Sequence, residues 1–157
     1  MNAELRHFED LAVGDAADLG STSVSEAEII EFASKYDPQW FHLDPVAAGE
    51  SIYGGLIASG WHSCAILMRL AVDSWLNRQA GLGSPGLDEL RFKGPVRPGD
   101  TLRGRIEILE LVPSASKPDR GLVRSRMQLF NQRDEEVLSM ISLGLVRRRG
   151  SELGRRA

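Results

Sequence analysis

Between Ser25 and Asp37 apolar side chains fall at Ile29, Phe32, Ala33 and Tyr36, the spacing of one helical face. Ser25 and Glu28, three positions on, form a capping box at the start. Pro38 ends this helix at Asp37, because proline has no amide hydrogen and drives the residue before it out of the α region. Ahead of it, Asp15 to Ser25 carries the small and β-branched residues of an irregular strand. A second helix starts at Ser59, a candidate N-cap, and Trp61, Cys64, Ala65, Met68, Ala71, Val72, Trp75 and Leu76 follow the i, i+3, i+4 rhythm. Ile66, Leu67 and Leu70 stand where a surface helix carries charges, and Arg69 is the only arginine, lysine or acid between Gly60 and Val72. Such a helix is expected to be wrapped by protein on most sides.

The remaining chain reads as strands: Gly86 to Val96, a type II turn at "RPGD", and Thr101 to Val112, whose alternation slips near Leu109 in the manner of a bulge. In Gly121 to Asn131, Val123, Met127 and Leu129 face one way and Arg124, Arg126 and Gln128 the other. "NQRDE" turns into Glu136 to Arg149, apolar on both faces and so read as a central strand. One short helix, one deeply apolar helix and a run of tightly joined strands predict an α+β domain, a curved antiparallel sheet wrapped around the long central helix, which is the hot-dog arrangement. Strand edges and apolar surface left outside predict a homodimer or higher even oligomer that continues the sheet.

At 157 residues the chain fits one domain, residues 1–157, with 149–157 expected as a frayed tail. A net charge of -3 gives no basic field, so nucleic acid is not the expected partner. The polar, acidic opening and the lack of any long uncharged apolar run predict a cytoplasmic protein with no membrane partner. One cysteine, Cys64, excludes an intrachain disulfide, and the scattered His7, His42 and His62 lack zinc spacing, so neither a metal nor a cofactor is expected.

The stretch "KYDPQWFHLDPVAAGESIYGGLIASGWHSC", Lys35 to Cys64, concentrates the candidate chemistry. It resembles the MaoC-type acyl dehydratases, relatives of the R-specific enoyl-CoA hydratases. Their pattern is Asp, any residue, Asn, Pro, an aliphatic residue and His, then an acidic, alanine-containing segment, and later Ile-Ala-His-Gly at the start of the central helix. Here Asp37 and His42 keep the spacing, "LDPVAA" follows, "LIASG" ends in Gly60, and "GPVRPGDTLRG" is similar to the family's strand and turn after the helix. Gln39 replaces the usual asparagine, Trp40 the proline and Ser59 the histidine.

The resemblance implies reversible addition of water to the double bond of an α,β-unsaturated acyl thioester, with acyl-CoA as the substrate. Asp37 would take the proton of water, His42 would hold that water and assist protonation, and the Gly60 amide at the helix start would meet the enolate oxygen. Each residue also has a plain structural reading. Asp37 can be a helix-ending Asp-Pro, His42 a loop imidazole satisfied by backbone, and Gly60 a glycine for close helix-to-sheet packing. Gln39, Trp40, Tyr53, Ser59 and Trp61 are the candidate substrate-binding residues; Trp40, Phe41 and Tyr53 read equally as core aromatics, and His62 as packed. Gly49, Gly54 and Gly55 read as loop flexibility. Arg91, Lys93 and Arg97 read as solvated charges or as contacts to coenzyme A phosphates. A hot-dog thioesterase and a non-catalytic acyl-CoA-binding subunit are the alternatives. The only acid of the central helix, Asp73, lies too far from the helix start to serve a thioesterase.

Overall fold

The computed structural model describes residues 4–151. Strand β1 (Ala16–Ser23) leads into α1 (Glu26–Tyr36), two one-turn helices α2 (Trp40–Leu43) and α3 (Pro45–Ala48), and the central α4 (Gly60–Ser74). Strands β2 (Gly86–Phe92), β3 (Thr101–Pro113), β4 (Arg120–Phe130) and β5 (Glu136–Arg147) follow. All pairings between these strands are antiparallel, in the order β1-β3-β4-β5-β2. This is the expected α+β hot-dog fold.

Local sequence signals account for most of these boundaries. The Ser25 hydroxyl accepts from the Glu28 amide and Glu28 returns a bond to the Ser25 amide, so the capping box holds α1 from both sides. Ser59 caps α4 by accepting from the Trp61 amide. Gly99, at a φ of 85°, completes the type II turn closed by the Asp100 amide on the Arg97 carbonyl. The bulge in β3 falls between Ile108 and Glu110. β5 is interior, between β4 and β2. The strand expected from Gly86 ends at Phe92, and Gly94 to Val96 is loop. α2 and α3 were not expected; Pro45 at the first helical position and Asp44, which accepts from the Val46 and Ala47 amides, explain α3.

The core lies between α4 and the sheet. Leu67, Leu70 and Ala71 of α4 pack with Leu102 and Ile106 of β3, Met127 and Leu129 of β4 and Leu138 and Met140 of β5. The helix is not covered all round: Trp61, Ala65 and Met68 form an open stripe beside β2, itself exposed except at Leu90. Among the described residues no helix is long and apolar enough to cross a membrane.

Arg149, expected to fray, is anchored. Its amide donates to Glu9 and its guanidinium to Asp10, while Arg148 also meets Glu9. Ser151 is held too, its hydroxyl against the Asp119 and Arg148 carbonyls, and residues 152–157 of the expected tail lie outside the described residues. The Arg149 amide and the Arg148 side chain hold the Glu9 carboxyl down to about 2. A carboxyl lowered on folding stabilises above its unfolded range and loses that contribution as pH falls through the folded value. The Arg149 amide resonance is therefore expected to stay constant from neutral pH through the ordinary glutamate range and to shift with a midpoint of about 2, which NMR titration checks.

Candidate active site

The site is assembled at the junction of α1, α2 and α4. Asp37 caps the C-terminus of α1, its amide reaching Ala33, and Pro38 stops the helix so that the side chain turns toward the start of α4. Its Oδ2 accepts from the buried Ser59 hydroxyl at 2.7 Å, and its Oδ1 accepts from the Gln39 amide nitrogen at 2.7 Å. His42, on α2, is buried with only 4% of its surface exposed, and its Nε2 lies 3.3 Å from Asp37 Oδ2.

The other face of the His42 ring assigns its protons. Nδ1 lies 2.8 Å from the Ile57 carbonyl, which can only accept, so Nδ1 carries hydrogen. A neutral ring with that tautomer would point the Nε2 lone pair at a carboxylate oxygen. A proton on Nε2 turns the 3.3 Å contact into an attractive charge pair, so the imidazolium is the form that complements the carboxylate. Burial pushes the Asp37 carboxyl up, but the bonds from Ser59 and Gln39 and the charge of His42 outweigh it and hold the group below the usual aspartate range. The site thus pairs a carboxylate able to accept a proton with an imidazole able to give one.

At the start of α4 the Trp61 amide is used by the Ser59 side chain, and the His62 and Ser63 amides by the Ser59 carbonyl. The Gly60 amide has no protein acceptor among the described residues and borders the cleft. It is a free donor at the positive end of a 15-residue helix. A Cβ there would lie 2.5 Å from the ring of Phe92, so any larger residue would have to displace that ring.

The cleft has a volume of about 520 Å³, and Asp37, His42, Gly60, Tyr53, Trp61 and Phe92 border it. A second cavity of about 310 Å³, lined by Met68, Trp75, Leu76, Leu87 and Met140 among others, lies toward the far end of α4. Asp37, His42 and Gly60 come together as the sequence led us to expect. Of the candidate substrate-binding residues, Gln39, Tyr53 and Trp61 line the cleft, and Gln39 and Ser59 both donate to the Asp37 carboxylate. Trp40 does not line the cleft; it is half-exposed and meets Phe41 edge-on. His62 stacks on Phe32, and burial pushes its pKa below the ordinary value.

Two contributors were not singled out from sequence, and a third has another role than the one weighed. The Ile57 carbonyl sets the His42 tautomer, and a backbone oxygen leaves no side-chain signal. Phe92 covers Gly60 from a strand remote in sequence. Arg97, weighed as a phosphate contact, donates to the Tyr53 carbonyl at 2.6 Å and so ties down the loop beside the cleft. Lys93 likewise has an internal partner, Glu136, at 2.7 Å.

Known proteins with this sequence pattern and shape agree with one another. Residues 11–124 match the family described as "MaoC like domain". The uncharacterised protein YdeM of Bacillus subtilis is 26% identical over 130 residues, 83% of this chain and 91% of that protein. An (R)-specific enoyl-CoA hydratase of Rhodospirillum rubrum is 32% identical over 111 residues, 69% of this chain and 74% of its own length. The crystal structure of a MaoC-like dehydratase from Rhodospirillum rubrum superposes with a TM-score of 0.86 at 44% identity, covering 93% of this chain and 99% of that one.

Proposed function

Because the chain belongs to the MaoC-like dehydratase family, whose relatives act on hydroxyacyl thioesters, we propose that it reversibly hydrates an enoyl-CoA to an (R)-3-hydroxyacyl-CoA. The observation that carries this reading is the Asp37–His42 pair, 3.3 Å apart, bordering the same cleft as Gly60, whose amide has no protein acceptor among the described residues. In the hydration direction Asp37 accepts a proton from water as its oxygen bonds to C3. The double-bond electrons move toward C2 and the thioester oxygen, where the Gly60 amide stabilises the developing charge. His42 Nε2 delivers its proton to C2. Asp37 then releases the proton it took and Nε2 regains one, which restores the resting pair.

The partner we propose, besides the acyl-CoA, is a second copy of the chain. β2 is an edge strand with Leu87 and Phe92 exposed, and it adjoins the open apolar stripe of α4. Pairing two β2 edges would continue the sheet and cover both. The native protein is expected to run as a dimer or higher even oligomer in light scattering. Met68→Glu combined with Leu87→Glu is expected to shift it to monomer; a native monomer would sink the dimer reading.

A thioesterase would need a carboxylate aimed at the thioester from the start of α4, and Asp73 lies in its last turn, paired with Arg69 at 2.7 Å. The deciding experiment follows the enoyl-thioester absorbance of crotonyl-CoA together with free thiol and product stereochemistry. Loss of absorbance with R product and no thiol supports the hydratase. Thiol release would assign a thioesterase, and binding of crotonyl-CoA without turnover an acyl-CoA-binding subunit.

A further inference from the structure

We propose that Ser59 is a positioning residue which closes Oδ2 of Asp37, so that Oδ1 is the atom that takes the proton from water. This rests on the hydratase reading for its chemical meaning and on the carboxylate's surroundings for its argument. A carboxylate offers about four in-plane acceptor positions, two on each oxygen. On Oδ2 one is filled by the Ser59 hydroxyl at 2.7 Å, and the His42 ring crowds the same oxygen with Nε2 at 3.3 Å. On Oδ1 one is filled by the Gln39 amide at 2.7 Å. The open position is on Oδ1, and Asp37 and Gln39 both border the cleft.

Ser59 is suited to this role. Its side chain has one hydrogen, and its oxygen already accepts from the Trp61 amide at 3.3 Å, so the hydrogen is free for the carboxylate. The residue is fully buried, so no bulk water competes for that bond. The chain Trp61 amide, Ser59 hydroxyl, Asp37 carboxylate ties the positive end of α4 to the base, and each bond polarises the next. The family pattern places a histidine at this position. Here the hydroxyl stands in its place, and it also keeps the helix capped.

The test uses Ser59→Gly, which removes the donor but caps a helix almost as well, and Ser59→Thr, which keeps both functions. With carbon-13 in the aspartate carboxyls, the Asp37 signal of substrate-free protein is expected to titrate at higher pH in Ser59→Gly than in the native protein, and Ser59→Thr to restore it. Coincident titration of the native protein and Ser59→Gly would reduce Ser59 to a helix cap and overturn the proposal. In a high-resolution crystal structure of the native protein, a water at hydrogen-bond distance is expected on Oδ1; a water on Oδ2 instead would also overturn it. With crotonyl-CoA, kcat is expected to fall roughly tenfold in Ser59→Gly with KM within about twofold, and the acid limb of the pH profile to move up. An unmoved limb despite a lower rate would count against it. A native protein that binds but does not hydrate crotonyl-CoA would sink the hydratase reading, while the titration and the water position would still decide the role of Ser59.

Discussion

Asp37→Asn is expected to lower kcat for crotonyl-CoA hydration by roughly 10²- to 10⁴-fold, the range that a positioned acid or base contributes. The amide keeps the shape of the carboxylate; its oxygen can still accept from Ser59, and its NH2 can donate to Gln39 once that side-chain amide turns over, so the fold should survive the change. It cannot take a proton from water, and that is the capacity being tested. His42→Ala is expected to lose a similar factor because it removes the proton bound for C2. Since the two groups act together in one addition, the double variant should be little worse than the more impaired single variant. Stopped-flow absorbance with each variant, together with circular dichroism to confirm the fold, measures this. A loss under about threefold in Asp37→Asn would remove Asp37 from the chemistry, given the size of acid and base contributions.

The largest expected loss of stability lies at Leu67. This side chain is fully buried where α4 crosses β3, at a point where the two elements approach closely over Gly104. A Cβ on Gly104 would sit 3.2 Å from Leu67 Cδ1 and 3.2 Å from Leu19 Cβ, so the surroundings have little slack in either direction. Leu67→Ala is expected to cost about 2 to 5 kcal/mol, since a helix held by a sheet on one side cannot collapse fully into the cavity. Met68→Ala, on the open stripe one residue along, provides the contrast: at 46% exposed it has less apolar contact to lose within the chain. Urea denaturation at fixed protein concentration compares them. Equal losses at the two positions would contradict the placement of α4 against the sheet.

The elements were legible wherever a short-range signal fixed them. Ser25 with Glu28, Pro38, Ser59 and Gly99 each act within four residues, and each stands at the boundary it was read to mark. The alternation in β3 and β4 revealed which face is buried, because successive strand side chains point to opposite faces. What α4 leaves open was less legible. Its composition is apolar nearly all round, and composition does not say whether the same chain or another covers a given stripe.

The same division runs through the site. The sequence by itself determined that an aspartate, a histidine and a helix-starting glycine would be available in one segment, because the spacing of Asp37, His42 and Gly60 belongs to a pattern with known chemistry. Only the tertiary structure decided what their neighbours do. Ser59 lies 22 positions from Asp37, and Ile57 lies 15 from His42, yet these contacts set the bonding of the carboxylate and the tautomer of the ring. Gln39 and Ser59 read equally well as substrate contacts; the turn after Pro38 brings Gln39 onto Asp37, and the packing of α1 against α4 brings Ser59 there. Residue type states which bonds a side chain can make, whereas the direction in which it makes them follows from how separate helices and strands dock, and hydrogen bonds and proton positions depend on direction.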